Sequence, residues 1–149
     1  VLLASMDVTQ EKKAVFFDID GTLINIMKGQ TQIAPAVKKA IRALRAAGGV
    51  PVVAHIFKYR FDDAQRAAML AAAADAGALG VEVRYTTYTP EQAEIAQVLA
   101  ARFGLAPSGG SDYHGLRKPD IALGSGRGGL RVPYAYLAGL KVLAGHECV

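Results

Sequence analysis

The chain has 149 residues, about the length of one domain, and at 52% hydrophobic and 20% charged residues its composition excludes a disordered or low-complexity protein. A net charge of +4 favours anionic ligands such as phosphates or nucleotides, but the positive charges form no long run, so no dedicated nucleic-acid groove is expected. The one cysteine, Cys148, excludes an internal disulfide and a Cys-based zinc cluster, and fits a reducing, cytoplasmic setting. Val1 to Ser5 lack the basic flank of a signal peptide, and the Ala-rich stretch Ala67 to Ala78, broken by Asp75 and Gly77, falls well short of a membrane span of about 20 residues.

In chain order, Ala14-Val15-Phe16-Phe17 reads as a buried strand ending at Asp18. A helix begins near Pro35, repeats its apolar positions at Val37, Ile41 and Leu44, and stops at Gly48-Gly49. Residues 50–54 form a second strand with Pro51 near its start, where a missing donor is tolerated. Asp62 or Asp63 caps a second helix, which ends at Gly77. Residues 81–85 form a third strand. Thr89-Pro90-Glu91-Gln92 is a capping box for a third helix ending before Gly104. A short strand over 105–108, a Gly-rich loop over 109–131 and a last helix opened by Pro133 and running through Leu143 complete the series. This βαβαβα alternation predicts one α/β domain over residues 1–149, with an open parallel sheet and flanking helices. A loop of 23 residues inside a compact domain points to function or disorder.

Two groups of residues carry chemistry. Asp18 and Asp20 follow an apolar strand directly, at the carboxyl edge where ligands of parallel sheets bind. One carboxylate can attack phosphorus while the other moves the leaving-group proton, and their joint charge calls for a hard divalent cation such as Mg²⁺. Phe16-Phe17-Asp18-Ile19-Asp20-Gly21-Thr22-Leu23 resembles the first motif of the haloacid-dehalogenase-like (HAD) phosphatases, and Ile33 to Ile41 resembles the helix that follows it. Over residues 12–50 that resemblance implies a Rossmann-like first βα unit, with Asp18 as nucleophile, Asp20 as general acid/base and metal contact, and Thr22 helping to hold the phosphate loop. The later HAD motifs have no counterpart: Ala54-His55-Ile56 stands where a Ser or Thr belongs, and no Lys lies between Lys58 and Lys118.

The second group is His55, at the end of the second strand, with Asp112 and His114 after the fourth. Imidazoles and a carboxylate suit Mn²⁺, Zn²⁺ or Fe²⁺. Residues 49–143 resemble the polymerase-and-histidinol-phosphatase (PHP) domain at Gly49 to His55, Gly80 to Tyr85, Tyr88 to Gln92, Ser108 to Gly115, Lys118-Pro119-Asp120-Ile121, Leu123-Gly124 and Arg127-Gly128. By that resemblance His55, Asp112 and His114 are metal ligands, and the fold contains part of the PHP barrel's strands. The stretch that would carry the PHP family's own His-x-His strand is occupied by the HAD-like segment.

Together these features predict a metal-dependent, PHP-like phosphatase or phosphodiesterase using Mg, Mn or Zn. Asp18, Asp20, His55, Asp112 and His114 would form a composite site, and Lys118 and Arg127 would contact the phosphate of a small phosphorylated substrate or nucleotide. The alternatives are HAD-type catalysis through an aspartyl-phosphate, and an inactive chimeric or truncated fragment that only binds metal or phosphate. Missing strands would leave open sheet edges, which favour a homo-oligomer. No membrane partner is expected.

Overall fold

A computed structural model describes residues 33–145. The expected first strand, together with Asp18, Asp20 and Thr22, lies outside the described residues. Within them the chain is an α/β protein with an open, three-stranded parallel sheet flanked by helices. The elements run α1 (Pro35–Ala46), β1 (Val52–Val53), α2 (Asp63–Ala76), β2 (Gly80–Tyr85), α3 (Pro90–Arg102), β3 (Ala106–Gly110), a 3₁₀ turn (Gly115–Arg117) and α4 (Tyr134–Leu143). The strands lie in the order β1-β2-β3, all parallel.

The helix boundaries follow from local chemistry. The Asp62 carboxylate accepts from the Gln65 amide at 2.7 Å, and the Gln65 side chain accepts from the Asp62 amide at 3.0 Å. Thr89 and Gln92 form the same reciprocal pair before α3, which satisfies donors that a helix start leaves unpaired. Gly77 ends α2 in the left-handed region at φ 107°, where a Cβ would be strained. Helices α1, α2 and α3 turn small or apolar residues inward. Val37 and Ile41 of α1, Met69, Leu70 and Ala73 of α2, and Ala96, Leu99 and Ala100 of α3 are buried in one continuous core. The alanines let α3 lie close against β2 and β3.

In β2, Val81, Glu82, Val83 and Tyr85 are all buried, so both faces of the central strand are covered. Burying a valine such as Val81 or Val83 contributes about 1.5–3 kcal/mol. β1 is shorter than the predicted 50–54: its pairing with β2 covers Val52 and Val53, and the Pro51 carbonyl before it accepts from the amides of Leu79 and Gly80. β3 runs further than the predicted 105–108 and takes in Gly109 and Gly110. A Cβ on Gly109 would sit 2.9 Å from Arg84 Cβ and 2.9 Å from a Val132 methyl, so the close pairing of β3 with β2 requires glycine there. Opposite it, the register of β2 shifts between Glu82 and Arg84.

The Gly-rich loop is ordered after its first two residues join β3. It contains the 3₁₀ turn and an antiparallel bridge between Ala122 and Gly126, and it buries Ile121. The Gly124 amide donates to Ser111 Oγ at 3.2 Å, and the Arg127 amide donates to Thr86 Oγ1 at 3.0 Å, fastening the loop over the end of the sheet. The following helix, α4, packs on β3, and its Tyr136 hydroxyl donates to Gln97 of α3. Among the described residues, no helix is long and apolar enough to cross a membrane.

Candidate active site at the carboxyl rim

Parallel strands converge their carboxyl ends on one rim, and the chain leaves β1 and β3 there through His55 and Asp112. These two are the non-glycine residues with positive φ among the described residues, at 34° for His55 and 60° for Asp112. Such backbone is held only where surrounding contacts over-determine it, and it concentrates at functional sites.

The contacts that hold it are visible. The His55 amide donates to Glu82 Oε2 at 2.7 Å. Its ring lies 5.6 Å from the Tyr85 ring, edge-on, and its Nδ1 lies 3.4 Å from the Tyr59 hydroxyl. Beyond His55 the chain is clamped by Arg66, which is buried in α2. Its Nε donates to the Ile56 carbonyl at 3.3 Å and its Nη2 to the Phe61 carbonyl at 2.8 Å, while the guanidinium sits 4.2 Å from the Phe57 ring centroid. Ile56 itself is fully buried.

Asp112 is held from two sides. The Tyr85 hydroxyl donates to its Oδ2 at 2.7 Å, and the Lys118 ammonium pairs with the same oxygen. Desolvation pushes this carboxyl up, but the hydrogen bonds from Lys118 and Tyr85 and the charges of Lys118 and His114 outweigh it and hold it below its usual range. His114 is more exposed. Its Nδ1 lies 2.8 Å from the Asp112 carbonyl and 3.4 Å from Asp112 Oδ1. Arg127 pairs at 2.9 Å with Asp120 on the loop surface.

Behind these residues, Glu82 lies under the rim. Burial pushes its carboxyl up to about 8; the His55 amide pulls the other way and the Asp112 charge adds to the rise. Tyr88 packs against Tyr85 and Phe57. Burial, with the Glu82 charge second, pushes its phenol up, and its hydroxyl lies buried near the Ile56 and Phe57 amides without closing a hydrogen bond.

The structure therefore brings Asp112, His114 and Lys118 into contact and links His55 to them through Glu82 and Tyr85. One carboxylate and two imidazoles have the chemistry of a Mn²⁺ or Zn²⁺ donor set. As arranged, however, no group of three or more His, Cys, Asp or Glu side chains able to hold a metal ion occurs among the described residues. Glu82 and Tyr85 were not among the expected site residues. The available signal was a lone carboxylate between Val81 and Val83 in a central parallel strand, where a charge must find a buried partner.

The chain is similar to a solved structure. The chain matches the crystal structure of a Bifidobacterium adolescentis protein, provisionally classed as a metal-dependent phosphoesterase, with 31% sequence identity and a TM-score of 0.55. The match covers 74% of this chain but 37% of that protein, so this chain corresponds to little more than a third of its length. No family model matches the chain, and no curated protein matches it either.

Proposed function

We propose that this chain is a PHP-like, metal-dependent phosphoester hydrolase whose reacting centre lies at the carboxyl rim of the sheet. The observation that carries this reading is the strained backbone at His55 and Asp112, two residues singled out in the sequence as ligands, in a chain similar to a protein classed among the metal-dependent phosphoesterases. His55, Asp112 and His114 would be the ligands from the described region. Because these three do not converge by themselves, the reading assigns the remaining ligands to Asp18 and Asp20. A bound divalent cation supplies Lewis-acid activation in such hydrolases.

The protein's own groups support the same chemistry. Tyr85 and Lys118 keep Asp112 ionised, as a ligand must be. Lys118, beside Asp112, and Arg127, on the loop fastened to Thr86, would contact the phosphate of a small substrate or nucleotide, with Thr22 contributing from the first motif. A second reading rests on the Asp18-x-Asp20 motif: direct attack by Asp18, with Asp20 as general acid/base, through an aspartyl-phosphate.

The test is metal content by mass spectrometry, with turnover of an aryl phosphate in Mg²⁺, Mn²⁺ and Zn²⁺. The PHP-like reading expects bound transition metal, turnover preferring Mn²⁺ or Zn²⁺, and greater loss from His114→Ala than from Asp18→Asn. The HAD-like reading expects Mg²⁺ dependence, abolition by Asp18→Asn and a trappable phospho-aspartate. Absence of turnover in all three metals contradicts both and leaves a fragment that at most binds metal or phosphate.

A further inference from the structure

Glu82 sits where a charge is costly. Its neighbours in β2, Val81 and Val83, are fully buried, and its own residue is 8% exposed. A hydrophobic residue would fill such a position without desolvation cost, so the contacts made by the carboxyl group bear on why an acid stands there. One oxygen, Oε2, accepts from the His55 amide at 2.7 Å. The other, Oε1, faces Gly110 so closely that a Cβ there would lie 2.7 Å away. His55 follows β1, and Gly110 ends β3 two residues before Asp112. The carboxyl group thus spans the two chain segments that carry the strained residues, and it does so where β2 shifts its register.

We infer that Glu82 is a positioning residue: it holds the His55 amide on one side and abuts Gly110 on the other, setting the backbone from which His55 and Asp112 project. The backbone sets the direction in which the His55 side chain leaves the chain, and the hydrogen bond from its amide to Glu82 is one of the contacts that hold φ at 34°. An acceptor that orients the residue behind a ligand acts on the site without touching the reacting atoms. The consequence for catalysis rests on the proposed function, whereas the consequence for the His55 backbone does not.

The experiment uses the full chain and two substitutions. Glu82→Gln retains an oxygen that can accept from the His55 amide, and Glu82→Leu retains none. The readouts are hydrogen-exchange protection of the His55 amide by NMR in the presence of a chelator, and Mn²⁺ affinity in its absence. Glu82→Leu is expected to lower protection at His55 about tenfold or more while the amides of Val81 and Val83 stay protected. It is expected to weaken Mn²⁺ binding by about 10–100-fold, and Glu82→Gln to restore most of both. If the leucine variant does not fold, Gly110→Ala, which pushes on Oε1 from the opposite side, is expected to lower His55 protection in the same way. Unchanged His55 protection in the leucine variant, or in Gly110→Ala where that replaces it, overturns the inference. A parent chain that binds no Mn²⁺ contradicts the proposed function, and the exchange readout still decides the role of Glu82. Mn²⁺ binding equal in the parent and the leucine variant overturns the positioning role and leaves the proposed function standing.

Discussion

Replacing Arg66 by methionine is expected to destabilise the fold by about 3–5 kcal/mol, because it removes one buried cation from several partners at once. The magnitude follows from the contacts. The Ile56 and Phe61 carbonyls each lose a charged donor, at 3.3 Å and 2.8 Å, and a buried acceptor left unpaired costs about 1–3 kcal/mol. The guanidinium also leaves the Phe57 ring, 4.2 Å from its centroid, an interaction contributing up to about 2 kcal/mol when desolvated. The ion pair with Asp63 adds little, because that carboxylate is 86% exposed and such pairs are worth about 0–1 kcal/mol. These contributions share one side chain and do not simply add, hence the lower total. Asp63→Ala, which breaks only the ion pair and one first-turn charge, is the control and is expected to cost about 1 kcal/mol or less. Urea unfolding of both variants, compared at equal m-value, measures the difference. Equal losses in the two variants, or a loss below about 0.5 kcal/mol for Arg66→Met, would refute the claim that Arg66 clamps the segment carrying His55.

Gly109→Ala is expected to cost about 1–3 kcal/mol by overpacking, because its Cβ would meet Arg84 Cβ and Val132 at 2.9 Å and the Arg84 carbonyl at 3.0 Å; a thermal midpoint equal to the parent's would contradict that close pairing. Glu82 makes the metal-free fold pH-dependent in an unusual direction. Its folded value is raised from 4.5 to about 8, so the folded state holds the proton longer than the unfolded chain does. The associated stability is present below about pH 4.5 and is lost as pH rises toward about 8. In chelator, Glu82→Gln is therefore expected to gain on the order of 2 kcal/mol relative to the parent between about pH 5.5 and 7.5, and a constant difference between the two urea midpoints would contradict this.

Much of the fold was legible because its determinants are local. The Thr89 to Gln92 box, Asp62 before α2 and Gly77 after it act within one helical turn and are read directly from the chain. The end of β3 was not legible. Gly109 and Gly110 read as loop because glycine is poor in strands, and their place in β3 depends on Arg84 and Glu82, which lie more than 20 positions earlier. His55, Asp112 and His114 were singled out as candidate ligands from residue type, strand-end position and a family pattern. Glu82 was not, because its significance lies in a backbone amide 27 residues away, which no periodicity encodes. Arg66 belongs to the same class: it lies in a helix whose sequence does not announce that residues 55–61 fold over it. Lys118 was expected to meet substrate phosphate; its pairing with Asp112, six residues earlier in the loop, was not legible in the sequence.

The most direct test of the central claim is a Mn²⁺ titration of the parent chain beside Asp112→Asn, His114→Ala and Asp75→Ala, the last an exposed position on α2. The account expects the parent and the Asp75 variant to bind alike, and the Asp112 and His114 variants to bind about tenfold or more weakly, because each loses a coordinating atom. Equal Mn²⁺ affinity in all four chains would contradict a metal centre at the carboxyl rim.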